Sequence, residues 1–299
     1  MGKLTVLSLF VVALSALIGE RLIAIRHVAL SSRELTQNHL PNCYIIKGIE
    51  FGAEDISILE GGLAFLSTGL KYPGLPSYSE DPGKLYTLNL VDSPMNIEAL
   101  SIKGEFDKDS FNPHGISLYT DDKDGAIYLF VVNHPRGKSH VEIFRFVEKE
   151  NSLQYIKTIR HELLHNVNDI VAVGAESFYA ANDHYFTNGI LKFLEPLLSL
   201  AWCDVIYYSP DTVQVVAEGF MSANGINISP NKRQLKWGHF VTTLRWTVNL
   251  VIYGWAATQM VTNSCVVIQM IHLALRLSRF KTSSLKSHRW FRYMQMMVV

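Results

Sequence analysis

The sequence between residues 40 and 231 consists largely of short, β-branched and apolar runs that end at turn-forming clusters. Asp81-Pro82-Gly83 and Ser209-Pro210-Asp211 are two such clusters, in which Pro and Gly set the backbone angles of a turn. The runs predicted as strands are Gly62–Thr68, Lys84–Leu90, Ala126–Val132, Val141–Val147, Tyr155–Ile159, Ile170–Val173 and Asp204–Tyr208. Many short strands at this spacing predict an all-β sandwich, barrel or propeller. No strict internal repeat is visible, so periodicity does not choose among these architectures.

One stretch within this body has helical character instead. Gly189–Trp202 is almost entirely apolar around Lys192 and Glu195. Such a helix either packs on the core or rests on a lipid surface, for which its Leu and Trp content is suited. The sequence leaves both interpretations open.

The amino terminus has the pattern of a secretory signal. Lys3 precedes the apolar run Leu4–Ile18, and Glu20-Arg21 follows it. A basic start and an apolar run of about 7–15 residues are typical of a signal peptide, whereas a spanning helix needs about 20. Because no clean small-residue cleavage site follows, residues 1–25 are predicted to stay attached as a signal or anchor segment, with a buried core helix as the alternative. The predicted location is the secretory pathway, either extracellular or membrane-associated.

Charge divides the chain into two unequal parts. The 299 residues carry 27 basic and 27 acidic side chains, but residues 232–299 hold 10 of the basic ones and none of the acidic ones. Residues 1–231 therefore have a net charge of −10. An acidic body without a dense Lys/Arg run argues against a nucleic-acid partner. The three cysteines, Cys43, Cys203 and Cys265, leave at least one unpaired.

The segment whose residues are best suited to catalysis is Phe111–Ser117, which includes an Asn-Pro pair and His114. A turn-forming pair beside an ionisable imidazole suits an active-site corner, which is predicted to lie ahead of the strand Ala126–Val132. Acid and amide side chains recur along the chain at Glu54-Asp55, Asn168-Asp169, Asn182-Asp183 and Asn224. Carboxylate and carboxamide oxygens are hard ligands, which suit calcium better than a transition metal.

His161-Glu162-Leu163-Leu164-His165 matches the HExxH pattern of zinc proteases. On a helix, the two His would share a face and bind zinc, and Glu would act as the base. The strand-like runs Tyr155–Ile159 before it and Ile170–Val173 after it leave about one helical turn. No later HxxGxxH-type ligand appears, so a zinc peptidase is the weakest functional hypothesis.

With these residues laid out, residues 1–231 closely resemble the paraoxonases, which are calcium-dependent lactonases and arylesterases. The matching segments, in family order, are Gly52–Asp55, Gly69–Gly74, Phe111–Ser117, Val131–Pro135, Val167–Ile170, Asn182–Phe186 and Ala223–Ile226. Gly19–Leu22 is most similar to the paraoxonase-2 branch. The family fold is a six-bladed β-propeller with two calcium ions in its central tunnel, and the resemblance implies that fold here.

The resemblance also implies an oxygen ligand set for each of the two ions. The catalytic calcium ion would take Glu54, Asn168 and Asn224. The structural calcium ion would take Asp55, the backbone carbonyl of Ile116, and Asp169.

The same resemblance implies the chemistry and the surroundings of the site. His114 would accept a proton from the attacking water, with His134 behind it to orient or relay. The implied substrates are lactones and aryl esters. Family members sit on a lipid or lipoprotein surface through the signal segment and a nearby helix, here Leu4–Ile18 and Gly189–Trp202.

The resemblance stops near Asn231. The family continues with further blades, an Asp-Asn pair that completes the catalytic calcium site, and a final cysteine bonded to the one that matches Cys43; none of these is found in residues 232–299. Codons compatible with Phe240–Val261 can encode, in a shifted frame, a string similar to the missing Asp-Asn strand. Residues 232–299 are therefore predicted to be an aberrant, out-of-frame tail that forms no domain. A membrane anchor over Trp246–Leu275 is the alternative, although its polar residues suit lipid poorly.

Residues 26–231 are thus predicted to form an incomplete propeller of about four blades with open sheet edges. Without two calcium ligands and the disulfide partner of Cys43, the chain is predicted to be impaired as a hydrolase. Asn227-Ile228-Ser229 is a glycosylation acceptor if it is exposed in the secretory pathway. The alternative function is a non-catalytic, membrane-associated interaction protein, and the sequence predicts no oligomeric state.

Overall fold

The computed structural model describes residues 2–31, 46–49, 52–71, 80–92, 96–198, 200–229 and 235–239. Within these residues the chain forms a long amino-terminal helix, α1 (Lys3–Ser31), a short helix, α2 (Gly189–Leu197), and a series of small sheets. Two short 3₁₀ turns cover Pro135–Gly137 and Glu148–Glu150. Cys43, Cys265 and the alternative anchor Trp246–Leu275 lie outside the described residues.

The strands follow one another as meanders, in which each strand of a sheet, apart from β5, pairs with the next along the chain. The first sheet contains β1 (Ala53–Ile58), β2 (Leu63–Thr68), β3 (Lys84–Asn89) and β4 (Ile97–Ala99). The second contains β5 (Ser101–Lys103), β6 (Pro113–Thr120), β7 (Ile127–Asn133), β8 (His140–Val147) and β9 (Ser152–Ile159), with β5 parallel to β9 at the outer edge. The third contains β10 (Val167–Gly174), β11 (Ser177–Asn182), β12 (Cys203–Ser209) and β13 (Thr212–Phe220). A hairpin of β14 (Ala223–Ile228) and β15 (Leu235–His239) follows.

The strands β1, β6, β10 and β14 each form one edge of a sheet and begin its antiparallel meander, so they are called the opening strands. Neighbouring opening strands are in contact: β1 with β6, β6 with β10, and β10 with β14. This places the four opening strands side by side on the inside of an arc, with the later strands of each sheet farther out. Consecutive antiparallel meanders around an axis are the arrangement of a β-propeller. The expected all-β class with an apolar amino-terminal helix is confirmed, while the count of about four blades stays a prediction.

Most of the core lies between sheets, although one cluster, which includes Ile56, Leu66 and Tyr86, belongs to the first sheet alone. One cluster joins Phe65 of the first sheet to Leu129 and Phe144 of the second, and another joins Phe130 of the second to Phe178 of the third. Adjacent residues of β7 thus point into different clusters, because side chains alternate across a strand. Since both faces of the sheet are covered, the strand contains a continuous apolar run.

The predicted strands are confirmed, with ends that differ by at most a few residues. The prediction for Phe111–Ser117 is wrong in one respect, because Pro113 begins strand β6 and the segment is not a turn ahead of Ala126–Val132. Pro fits the first position of a strand, where its missing N–H costs no ladder hydrogen bond. His114 is polar and Gly115 has no side chain, so the two residues interrupt the apolar pattern that predicted the other strands.

The helix predicted over Gly189–Trp202 is shorter than expected. Asn188 caps it, since its Oδ1 accepts hydrogen bonds from the N–H groups of Ile190 and Leu191, and the helix ends at Leu197. Pro196 occupies the last turn, which is consistent with an early end.

Helix α1 extends well past the predicted apolar run, and its described side chains are exposed except for Arg21, which is half-buried. Within it, Thr5–Ile23 is long and apolar enough to cross a membrane, with a mean hydropathy of 2.1 over 19 residues. Length and composition alone do not separate a span from a signal sequence at this position.

Strand β15 lies beyond residue 231, inside the segment predicted to be an aberrant tail, and pairs in antiparallel register with β14 from Ala223–His239 to Ile228–Leu235. The remainder of that segment, from residue 240, lies outside the described residues. The division into residues 1–25, 26–231 and 232–299 stays a prediction.

Candidate active site

Each opening strand begins with the same short pattern: a polar residue, then Asp or Gly, then Ile. The four copies are Glu54-Asp55-Ile56, His114-Gly115-Ile116, Asn168-Asp169-Ile170 and Asn224-Gly225-Ile226. Every copy contains one extra residue relative to its pairing partner, which is a β-bulge, and every Ile is buried in the core. Bulges bend a strand and re-aim its side chains. The repeat was therefore present in the sequence, and its varied first and second residues concealed it.

The bulges bring the polar side chains of the four strands to one small cavity of about 10 Å³. A space of this size holds about one water molecule or ion. The cavity is lined by Glu54, Asp55, His114, Gly115, Asn168, Asp169, Asn224 and Gly225. All the side chains that the resemblance implies as metal ligands thus line the same cavity. His134 approaches it from behind His114.

Asp and Gly alternate at the second position of the repeat, and each Asp bonds across to the strand that carries Gly. An Asp55 oxygen accepts a hydrogen bond from the N–H of Ile116 at 2.7 Å, and an Asp169 oxygen accepts one from the N–H of Ile226 at 2.7 Å. Gly115 provides the room, since a Cβ there would lie 2.5 Å from Asp169 Oδ1 and 2.7 Å from the Asn168 carbonyl oxygen. The alternation therefore joins neighbouring sheets at the cavity.

Asp169 is buried and Asp55 is half-buried, and no Lys or Arg pairs with either carboxylate among the described residues. Burial raises the pKa of Asp55 to about 6. The negative charge of Glu54 also raises it, whereas hydrogen bonds from the N–H groups of Ile116 and Ile56 lower it. Burial also raises the pKa of Asp169 well above its usual value, and the charge of Asp55 raises it further. A cation in this cavity would offset the repulsion between these groups.

The donor set fits calcium. Glu54, Asn168 and Asn224 line the cavity beside Asp55 and Asp169, and calcium prefers the hard carboxylate and carboxamide oxygens that these side chains carry. No group of three His, Cys, Asp or Glu side chains placed to share a metal occurs in the described part of the chain. The calcium ligands implied by the resemblance are not a cluster of this kind, because they include amide and backbone oxygens.

His114 connects the cavity to the interior. Its Nε2 lies 3.0 Å from Oε1 of Glu54 and 3.3 Å from Nδ2 of Asn168, and its Nδ1 lies 3.1 Å from Nε2 of His134. Burial alone would lower the pKa of His114, but the hydrogen bond and charge of Glu54 raise it. The ring is therefore placed to exchange a proton on either side.

His134 follows strand β7 and is held behind His114 by the backbone. Its N–H donates to the carbonyl oxygen of Asn112 at 3.0 Å. Burial and the charge of His114 lower the pKa of His134 to about 3. The His134 ring is therefore uncharged at neutral pH, and its Nε2 atom faces Nδ1 of His114.

Asn112 clamps the segment that precedes the undescribed residues 72–79. Its Oδ1 accepts from the N–H of Lys71 at 2.7 Å, and its Nδ2 donates to the Lys71 carbonyl at 2.9 Å. Its own N–H donates to Oδ1 of Asn133, whose Nδ2 donates to the buried carboxyl of Glu142 at 2.9 Å. Thr158 donates a second hydrogen bond to Glu142. This chain of contacts ties the interior of the second sheet to the rim of the site, and sequence reasoning missed it.

Asp183 adds a further carboxylate that had been noted in the sequence without a role. Its Oδ2 lies 3.5 Å from Nδ2 of Asn168, and its Oδ1 lies 2.7 Å from Nδ1 of His184. Burial would raise the pKa of Asp183, but the hydrogen bond and charge of His184 lower it overall. Asn182 points elsewhere, since its Nδ2 donates to Asp204 and to the Leu163 carbonyl.

Cys203 is a buried free thiol beneath this region. Its Sγ donates to the Asp183 carbonyl at 3.0 Å, and burial raises its pKa to about 12. The thiol is therefore inert at neutral pH and acts as a packing group.

The zinc hypothesis loses its structural basis. Residues 161–165 form turns between β9 and β10 rather than a helix, so the two His do not share a helical face. The Nδ1 atom of His161 instead accepts a hydrogen bond from the N–H of Leu163 at 3.2 Å.

The remaining predicted modification sites are in different situations. Asn227 lies in β14, half-buried, and its Oδ1 accepts a hydrogen bond from the N–H of Ile228, while Ser229 of the acceptor sequence is buried. Its glycosylation stays a prediction. The predicted lack of a disulfide partner for Cys43 concerns residues outside those described.

Comparison with known proteins identifies the same family that the sequence motifs indicate. The model of the family described as Arylesterase matches residues 34–248. The chain is 56% identical to serum paraoxonase/arylesterase 2 of Gallus gallus over 236 residues, which is 79% of this chain and 66% of that protein. It is 53% identical to serum paraoxonase/lactonase 3 of Homo sapiens over 234 residues, which is 78% of this chain and 66% of that protein. The chain thus spans 66% of the length of these relatives. A solved gluconolactonase from Xanthomonas campestris is similar with a TM-score of 0.41 and 10% identity, over 69% of this chain and 58% of that one.

Proposed function

Because the chain belongs to the arylesterase family, we propose that its cavity is the catalytic centre of a calcium-dependent hydrolase of lactones and aryl esters. The family match covers the segments that contain the cavity residues, and the relatives are named as paraoxonases, arylesterases and lactonases. The proposal extends those activities to this chain.

One observation carries the proposal. Glu54, His114, Asn168 and Asn224 come from four separate strands and meet at one cavity, with a second imidazole directly behind the first. Removing several ionisable and amide side chains from water is costly even when they are paired, and clusters with shifted pKa values are typical of functional sites.

The chain's own groups provide the proton transfer. We assign His114 as the general base, because its ring faces the cavity and its pKa is raised from the usual value by Glu54 despite burial. The neutral His134 can share a proton with Nδ1 of His114 across 3.1 Å, which orients the ring and lets a proton pass to the interior. Asp183 is placed to orient Asn168 through their contact at 3.5 Å.

Calcium is the cofactor that fits the donor set. The catalytic ion would be held by Glu54, Asn168 and Asn224. The structural ion would be held by Asp55, Asp169 and the Ile116 carbonyl. A bound calcium ion supplies polarisation of the ester carbonyl and stabilises negative charge on its oxygen.

A lipid surface is the proposed partner. Helix α2 exposes its apolar side chains, including Ile190 and Phe193, while its acidic Glu195 is buried and accepts hydrogen bonds from the N–H groups of Tyr185 and Phe186. Arg21 of α1 donates to the Leu198 carbonyl at the end of α2. An inward acid and outward apolar residues favour the lipid-surface interpretation of α2 over packing on the core. The same surface would serve the alternative function, a non-catalytic membrane-associated protein.

The experiment compares this chain with an extended chain, in which residues 1–231 are followed by the matching carboxyl-terminal part of the Gallus gallus relative. We expect the extended chain to hydrolyse a lactone and an aryl ester, and to lose activity with a chelator and regain it with calcium. We expect this chain to be impaired. Full activity of the extended chain without calcium contradicts the proposal, and equal activity of both chains contradicts the expected impairment.

A further inference from the structure

A second cleft lies on the same end of the sheets as the catalytic cavity, between the loop after β7 and the loop after β9. Its volume is about 520 Å³. Its polar lining includes Lys138, His140, Arg160, His161 and His165, and its acidic lining is limited to Glu162 among the described residues. Two basic side chains and three imidazoles around one cleft contrast with the net charge of −10 over residues 1–231.

The two basic side chains of the cleft are available for a ligand. Some exposed cations of the chain pair with acids, as Lys157 does with Glu176 at 2.7 Å and Arg136 with Asp107 at 3.2 Å. Within the residues that the structure describes, Lys138 and Arg160 form no salt bridge. The Nε of Arg160 donates instead to Nε2 of His140 at 3.3 Å, which leaves the rest of the guanidinium group for another acceptor.

The wall of the cleft also contains an unpaired polar atom. Nε2 of His165 is buried and finds no hydrogen-bond partner among the described residues. Buried ring nitrogens are normally paired with protein, water or a ligand. The wall of the cleft thus contains a ring nitrogen with spare hydrogen-bonding capacity, although this nitrogen is itself buried and not open to the cleft.

The cleft continues into the exposed apolar surface of α2. Thr187 lines the cleft directly before the Asn188 cap, and Nδ2 of Asn166 donates to the His184 and Phe186 carbonyls. Aromatic rings form the border, since Tyr185 packs edge-on against both His165 and Trp202. Basic side chains next to exposed Tyr and Trp rings are typical of a surface at the level of lipid headgroups.

We propose that this cleft, defined by Lys138, His140, Arg160, His161 and His165, binds the phosphate of an anionic phospholipid headgroup when α2 rests on a membrane. Guanidinium and ammonium groups are suited to phosphate oxygens, and anionic lipid attracts clustered basic residues. The inference rests on the proposed attachment of α1 and α2 to lipid and gives that attachment a headgroup preference.

The experiment measures the partition coefficient of the whole chain on phosphatidylcholine vesicles with and without about one fifth phosphatidylserine. The test variant carries Lys138→Gln and Arg160→Gln. Each basic residue near an anionic surface contributes about fivefold to binding, so we expect this variant to lose about 25-fold on the anionic vesicles. We expect no change on phosphatidylcholine alone. The exchange Lys138→Arg with Arg160→Lys should retain binding.

A matched control separates the cleft from net charge. Arg145→Gln with Lys149→Gln removes the same charge from exposed positions toward the opposite end of β8, and we expect it to keep anionic binding. Equal losses in the two double variants, or no loss in either, overturn the inference. So does equal binding of the unaltered chain to both vesicle types.

Two further outcomes identify the source of failure. If inorganic phosphate alone binds the chain as tightly as the anionic vesicles do, the ligand is a soluble anion and the lipid assignment is wrong. Absence of binding to either vesicle type overturns the attachment of α1 and α2, and the headgroup preference with it. Because none of these readouts involves hydrolysis, they do not depend on the proposed catalytic activity.

Discussion

Nε2 of His114 lies 3.0 Å from Oε1 of Glu54, although the two residues are 60 positions apart and belong to different sheets. The contact forms because the opening strands of consecutive sheets pack side by side and each contains a bulge at the same place. It makes the proton affinity of one residue depend on the charge of the other.

The first prediction concerns this pair. Burial lowers the pKa of His114 while the hydrogen bond and charge of Glu54 raise it, so Glu54→Gln should lower the pKa. The measurement is an NMR titration of the imidazole in protein freed of metal by a chelator. Glu60→Gln, an exposed acid in a turn, should leave the pKa unchanged. An equal shift in both variants would contradict the pairing.

The second prediction concerns His114 as a base. In the extended chain, His114→Gln should reduce lactone hydrolysis by about 10²–10⁴-fold, the usual contribution of a positioned base. Calcium binding, followed by calorimetry, should persist because His114 is not in the proposed ligand set. Loss of binding and activity together would instead indicate that the substitution disrupts the cavity.

The third prediction concerns close packing at the cavity. Gly115→Ala would place a Cβ 2.5 Å from Asp169 Oδ1 and 2.7 Å from the Asn168 carbonyl oxygen. We expect a loss of about 1–3 kcal/mol in the free energy of unfolding, measured with urea. Gly189→Ala is the control, because nothing lies within 4 Å of a Cβ at that position. A neutral result at Gly115 would mean that the strands β6 and β10 separate easily.

The fourth prediction concerns pH and Glu142. Burial raises the pKa of Glu142 above its usual value of 4.5, although hydrogen bonds from Thr158 and Asn133 lower it in part. The folded state therefore binds the proton more tightly than the unfolded state, and stability falls as pH rises from 4.5 through the raised pKa. Glu142→Gln should make this fall smaller by the part that Glu142 contributes, since an amide keeps the shape without the charge, while Asp55 and Asp169 continue to contribute theirs. Urea unfolding across that pH range measures it, and Glu148→Gln, which is exposed, should retain the fall.

The fifth prediction concerns the Asn112 clamp. Asn112→Ala leaves the N–H and carbonyl of Lys71 without their partners, so we expect a loss of about 1–3 kcal/mol in stability and faster tryptic cleavage after Lys71. Asn96→Ala removes an exposed hydrogen bond to Glu98 and should change stability by less than about 0.5 kcal/mol. Unaltered cleavage in Asn112→Ala would show that the clamp does not hold the segment.

Family resemblance identified the cavity residues one by one, and the structure brings their side chains together, although their roles stay proposals. The Asn112–Asn133–Glu142 connection was not predicted, because each contact joins residues whose spacing in the sequence has no regular period. Strand β6 was missed for a related reason. After Pro113, its next two residues are the polar His114 and Gly115, which has no side chain, and both line the cavity.

The sequence by itself determined the strands such as β7, where four consecutive side chains from Leu129 to Val132 are fully buried. A strand covered on both faces needs a continuous apolar run, and that requirement is local and readable. Only the tertiary structure decided that His114 meets Glu54 and that Lys138 and Arg160 share a cleft. Such contacts depend on how bulged strands and the loops after them pack against neighbouring sheets. No local preference of the chain specifies that packing.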